Sequence, residues 1–169
     1  MRQSTLQFMG EQVRWLSDDE QQLWRLMLDA ERKMACAIES SLQNASDLST
    51  AEFAVLVALS EANGGALRLR ELCTSLKWNR SRASHQITRM VQRGLASKRK
   101  ASCDARGVEV LITDEGMSRL VQAAPEHVEV VRRMVFDHID PDRARYLRDF
   151  LLDVLATEGE CCDSEQSSI

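Results

Sequence analysis

The stretch Arg70-Glu71-Leu72-Cys73-Thr74-Ser75-Leu76-Lys77-Trp78-Asn79-Arg80-Ser81-Arg82-Ala83-Ser84-His85-Gln86-Ile87-Thr88-Arg89-Met90-Val91-Gln92-Arg93-Gly94 decides the fold. Its first part, Arg70–Leu76, predicts a short helix burying Leu72, Cys73 and Leu76. Lys77-Trp78-Asn79 interrupts that helix, and Asn79 is a residue type that caps the next one. From residue 80 to 93 the apolar Ala83, Ile87, Met90 and Val91 recur at helical spacing and form one face. The opposite face is expected to present Arg80, Ser81, Arg82, Ser84, His85, Gln86 and Arg89. Such side chains reach phosphates and base edges: Arg pairs with guanine, Gln with adenine, Ser with either. Gly94 is placed to end the helix, since glycine adopts the left-handed conformation of a helix stop.

Leu95–Lys100 and Val108–Ile112 are two β-prone runs around a polar turn at Ala101–Gly107, which reads as a hairpin. Ala66–Arg68 is a candidate third strand against it. Helix, turn, helix and basic hairpin together make a winged helix. Its second helix would enter the major groove, and its hairpin tip the neighbouring minor groove.

Charge singles out the same segment. Residues 66–106 hold eleven Lys or Arg against two acids, a net +9, while the whole chain carries −4. Positive charge confined to one segment of an acidic chain marks a surface for a polyanion. Arg89, Lys98 and Lys100 are the expected phosphate contacts.

The flanks read as helices. Ser17-Asp18-Asp19-Glu20 is a capping box that opens a helix to about Asn44, with Leu23, Met27, Ala30, Met34, Ala37 and Ser41 in one stripe. Ser49-Thr50-Ala51-Glu52 is a second box. It starts the helix Ala51–Ala62, apolar nearly all round and therefore expected to be buried, which Asn63-Gly64-Gly65 stops. Thr113 caps a long helix to about His138, which Pro125 is expected to kink. Asp140-Pro141 caps the last helix, to about Ala156, whose expected buried stripe is Leu147, Leu151, Val154 and Leu155. The terminal helices carry more apolar surface than one small winged helix covers, which points to a dimer interface.

The fold class expected is therefore mainly α with a small β-hairpin wing. One domain spans residues 1–156: dimerisation helices at about 1–45 and 114–156, and the winged helix-turn-helix at about 50–113. Residues 157–169 read as a flexible acidic tail. No apolar run approaches the roughly 20 residues that span a membrane. The N-terminus lacks a signal-peptide pattern, so the expected place is the cytoplasm.

These residues resemble the MarR-type regulators. Leu76 to Met90 is similar to that family's recognition helix. Asp104-Ala105-Arg106-Gly107, followed by a strand ending in Leu111-Ile112-Thr113, is similar to its wing signature, an Asp-x-Arg-Gly before (Leu/Ile)-Thr. Arg14 to Glu20 resembles the approach to the first helix in a subgroup common in actinobacteria. The resemblance covers roughly residues 14–156. It implies an obligate homodimer with one winged helix per subunit. It also implies a transcription factor, most often a repressor, that binds double-stranded DNA at a near-palindromic operator and responds to a small molecule or an oxidant. It implies further that pairing of Asp104 with Arg106 aims the wing arginine at the minor groove. An effector would bind between the dimerisation helices and the winged helix, with Trp15, Trp24 and the region of Pro125 as candidates.

Other readings are weaker. The five cysteines, Cys36, Cys73, Cys103, Cys161 and Cys162, show no Cys-x-x-Cys pattern, which argues against a disulfide framework or a zinc finger. Cys36 and Cys73 read as small core residues. Cys103, at the wing tip among cations, is the thiol best placed for a redox-sensing alternative, although Asp104 opposes its activation. The oxidant-sensing branch of the resembled family carries its cysteine near the start of the first helix, where this chain has none. His127 and His138 lack the neighbours of a metal site, and no cofactor is expected. Paired carboxylates, a phosphate-binding glycine loop and a nucleophile–base pair are all missing, so the chain does not read as an enzyme. A winged helix that docks an acidic protein is the other alternative.

Overall fold

The computed structural model describes residues 13–100 and 107–157. In chain order these form α1 (Asp18–Ser46), α2 (Thr50–Glu61), a 3-10 turn (Asn63–Gly65), β1 (Ala66–Arg68), α3 (Leu69–Leu76), α4 (Arg80–Gln92), β2 (Ala96–Lys100), β3 (Val108–Ile112), α5 (Asp114–Met134), a second 3-10 turn (Phe136–His138) and α6 (Pro141–Ala156). The chain divides into two compact units, residues 1–35 and 36–169. Among the described residues it is a helical protein with one small sheet.

In the first unit the start of α1 is set locally. Ser17 Oγ accepts the Glu20 N–H, and the Glu20 carboxylate accepts the Ser17 N–H at 2.7 Å. That backbone hydrogen bond, with the Ser17 hydroxyl second, holds the Glu20 carboxyl below its usual range. Beyond the cap, Leu23, Trp24, Leu26 and Met27 are exposed.

The second unit contains the core. Leu42, Leu48, Val55, Leu56, Leu59 and Leu72 have no exposed surface, and Ile87, Met90 and Val110 join them. Each such side chain contributes roughly 1.5–3 kcal/mol by leaving water. The core thus draws on α2, α3, α4 and β3, which gives α4 a fixed seat. The sheet has the order β1-β3-β2, all antiparallel, with Ala66 opposite Leu111 and Ala96 opposite Ile112. The expected third strand is present.

In this unit α2, α4, α5 and α6 each follow a residue whose side chain caps the first turn. Ser49 and Glu52 form the reciprocal box at α2. Thr113 Oγ1 accepts the Gly116 N–H and donates to the Gly94 carbonyl at 2.6 Å, fastening α5 to the end of α4. The contact is so close that a Cβ on Gly116 would lie 2.1 Å from the Leu95 carbonyl oxygen, so only glycine fits. Asp140 caps α6 by accepting the Arg143 N–H, with Pro141 in the first turn.

Four expectations are corrected here. The long C-terminal helix ends at Met134 and continues as the Phe136–His138 3-10 turn, while α5 itself runs unbroken past Pro125. Cys36 is exposed, because α1 around it has little packed over it, and Cys73 is half-buried. Burial raises the Cys73 thiol pKa, with the Arg80 charge opposing. Leu76 is half-buried and Val91 is 38% exposed, so α3 and α4 bury less than their patterns suggest. Finally, no residue of α6 is buried within the chain: Leu147, Leu151, Val154 and Leu155 are all exposed. The expected acidic tail beyond residue 157 lies outside the described residues. No described helix is long and apolar enough to cross a membrane.

Candidate nucleic-acid interface

The turn between α3 and α4 is built from three consecutive residues. Lys77 takes the left-handed conformation, φ +52°. The Trp78 N–H then donates back to the Cys73 carbonyl at 2.9 Å and closes the end of α3. Asn79 caps α4 by accepting the Arg82 N–H at 2.8 Å. Ala83, Ile87 and Met90 are buried and seat the helix on the core.

Arg80, Ser81, Arg82, His85 and Arg89 are exposed on α4, as expected, and Ser84 is half-buried. Gln86 is the correction: it is only 5% exposed and faces inward. It lies three residues after Ala83 and four before Met90, so it flanks the buried stripe. Its Oε1 accepts from Arg89, while its Nε2 has no partner. Gln86 therefore orients Arg89 and is not presented as a base reader. Lys98 and Lys100 are exposed on β2. Lys98 donates to Thr88 Oγ1 at 2.9 Å, which ties the wing strand to the middle of α4. Thr88 in turn donates to the Ser84 carbonyl. Thr88 is not among the residues expected from sequence, although it is exposed on the same side of α4 as Ser84, four residues earlier. Asp104, Arg106 and Cys103 lie outside the described residues.

Two further cations are occupied. Arg99 pairs with Glu109 across the β2–β3 ladder. Arg93 is drawn off the basic face altogether. It donates to both Glu52 carboxylate oxygens at 2.8 and 2.9 Å, and to the Asp47 carbonyl and carboxylate at 2.6 and 2.7 Å. Glu52 is buried, so this bidentate pair supplies the partner that a buried carboxylate requires. Asp47 itself holds a left-handed φ of +53°. Arg82 sits differently again: its guanidinium lies over the Trp78 ring, 4.5 Å from the centroid.

Elsewhere, His127 packs on Phe53 with ring centroids 4.6 Å apart, and burial lowers its pKa. Among the described residues no cluster of His, Cys, Asp or Glu is arranged to hold a metal ion. Trp15 and Trp24 are exposed.

The arrangement is thus a short helix on a fixed seat, its first turns lined with exposed donors, beside a basic strand. The sequence profile of the MarR family matches residues 46–107, the segment that contains it. No curated protein matches the chain. Among solved structures, Sco3205, a MarR family transcriptional regulator from Streptomyces coelicolor in complex with DNA, is 32% identical with a TM-score of 0.81, covering 86% of this chain and 91% of its own. AbsC, another MarR family transcriptional regulator from Streptomyces coelicolor, is 34% identical with a TM-score of 0.80, covering 85% of this chain and 96% of its own. BpsR of Bordetella bronchiseptica, whose DNA binding is regulated by 6-hydroxynicotinic acid, shares the fold at 22% identity, with a TM-score of 0.64 and coverage of 79% and 98%. With two regulators above 30% identity along most of both lengths, and a winged helix at the matched segment, this chain belongs to the MarR family of transcriptional regulators.

Proposed function

We propose that this regulator binds a near-palindromic operator as a homodimer, represses transcription by occupying it, and is released by a small-molecule effector. The observation that carries the reading is the exposed face of α4 and β2, where Arg80, Ser81, Arg82, His85, Arg89, Lys98 and Lys100 form no ion pair among the described residues, unlike Arg93 and Arg99. The first turn of α4, with Arg80, Ser81, Arg82 and Ser84, enters the major groove. Arg89, Lys98 and Lys100 meet phosphates, and Arg106, by resemblance, meets the minor groove with Asp104 beside it.

Dimerisation is supported by α6, which leaves Tyr146, Phe150, Leu151 and Leu155 in solvent. So large an apolar face is stable in water only when a second surface covers it. Helices at about 1–45 and 114–156 form that interface. A dimer reads two half-sites, and an effector acts by spreading the two recognition helices away from that spacing.

The test is a protection footprint of the purified chain on duplexes that it selects from a random library. The expected result is two symmetric protected half-sites about 10 base pairs apart, a spacing set by one turn of the double helix. Protection that is asymmetric, or the same on any sequence, contradicts the proposal.

A further inference from the structure

We propose that Trp78 is a positioning residue that sets which base pair the regulator reads, by holding the Arg82 guanidinium before DNA arrives. The inference rests on the operator reading above and names the device behind its specificity.

Arg82 is restrained at both ends. Its backbone N–H is held by the Asn79 cap, and its guanidinium lies 4.5 Å from the Trp78 ring centroid. Trp78 is itself fixed. Its N–H is bonded to the Cys73 carbonyl, the preceding residue is locked in the left-handed conformation, and its half-buried side chain packs against the core. The turn Lys77-Trp78-Asn79 therefore delivers one planar side chain in one pose, in the turn of the helix that contacts base edges. Arg80, two residues earlier, has no hydrogen bond or ion pair from its guanidinium among the described residues. Arg89 and Lys98 are tied instead to Gln86 and Thr88, farther along the helix.

A flexible arginine must give up rotamer freedom to make the two parallel hydrogen bonds to guanine O6 and N7. One already stacked on an indole has given up most of it beforehand. A cation–π contact occupies the guanidinium's approach to the ring without using its N–H donors, and Arg82 is exposed, so those donors stay available to a base. Trp78 then raises discrimination without a DNA contact of its own.

The probe is a duplex selected by the wild-type chain from a random library, together with its single base-pair substitutions. The readout is relative affinity at each position. Arg82→Ala identifies the base pair that Arg82 reads. Trp78→Leu keeps an apolar side chain on the core but removes the ring. It is expected to lower the preference at that same base pair roughly two- to fivefold, the scale of one cation–π contact. Other positions and the salt dependence should be unchanged. Trp78→Phe, which restores a ring, should recover most of the preference. An unaltered profile in Trp78→Leu overturns the inference, as does an even loss across all positions. A second measurement needs no variant: in the free protein the Arg82 side-chain protons should be shifted upfield by the ring current in NMR spectra, and ordinary shifts overturn the stacked pose. A wild-type chain with no base preference at all would instead remove the operator reading, a result distinct from either failure.

Discussion

The winged-helix segment and the last helix obey opposite rules. Between residues 50 and 113 the chain covers the centre of its own apolar stripes: Val55, Leu56, Leu59, Leu72 and Ile87 are fully buried, and only flanking positions such as Leu76 and Val91 stay partly open. Along α6, a helix of 16 residues, not one side chain is buried. Both have apolar stripes at helical spacing. The difference teaches that a stripe specifies that something must cover it, not what does so. The reading segment is a finished core that fixes α4, whereas α6 awaits a second surface, which we assign to a second copy of the chain.

The strongest way to break this comparison is to remove α6. Deleting residues 140–169 should abolish the soluble dimer and leave an aggregating chain, because the interface that covers other apolar surface goes with it. A well-folded monomer by light scattering would mean that the two regions do not differ as argued.

Single truncations sharpen it. Leu56→Ala opens a cavity in a finished core and should cost about 2–5 kcal/mol in chemical denaturation. Leu151→Ala, 47% exposed in the single chain, should instead promote dissociation on dilution, measured by sedimentation, with the winged helix intact. If both variants lose stability alike and neither dissociates, α6 is no interface.

Next in size is the ion pair that closes the winged helix. Arg93→Gln leaves the Glu52 carboxylate, whose side chain is 6% exposed, without its cation, though Ser49 still donates to it. The loss should be about 3 kcal/mol, at the lower end for a buried pair because Arg93 keeps some solvent contact. Thermal unfolding checks it. A loss under about 0.5 kcal/mol would make the pair an ordinary surface contact.

The smallest effect is at His127. Burial depresses its pKa in the fold below the ordinary 6.5, so folding favours the neutral form. As pH falls, the unfolded chain binds the proton first. Its contribution is complete above pH 6.5 and is lost as pH falls through the folded value. His127→Gln should flatten that part of the stability profile in urea titrations, and an identical acid slope in both proteins would contradict it.

Much of the fold is legible from short-range chemistry. Ser17, Ser49, Asn79, Thr113 and Asp140 each stand just before a helix, and each accepts a hydrogen bond from its first turn. Gly94, with φ +73°, stops α4 where the pattern does. What was not legible is set by distant partners. A charge count includes Arg93, yet Glu52, 41 residues earlier, folds against it and takes it off the DNA face. Gln86 looks like a base reader by residue type, but its position beside Ala83 and Met90 turns it inward. Cys36 has the look of a core residue, but little packs over that part of α1. Trp78 under Arg82 was hidden because stacking leaves no periodic trace.

The most direct test of the central claim is the salt dependence of DNA affinity. Each phosphate neutralised contributes roughly 0.9 to the slope of log affinity against log salt. The wild-type chain should lose affinity steeply as salt rises. Lys100→Gln and Arg89→Gln should each lower the slope by about 1, whereas Arg93→Gln, at temperatures where it stays folded, should leave it unchanged. A slope that Lys100 and Arg89 do not alter, or one that falls when Arg93 is replaced, would contradict the placement of the DNA-binding face on α4 and β2.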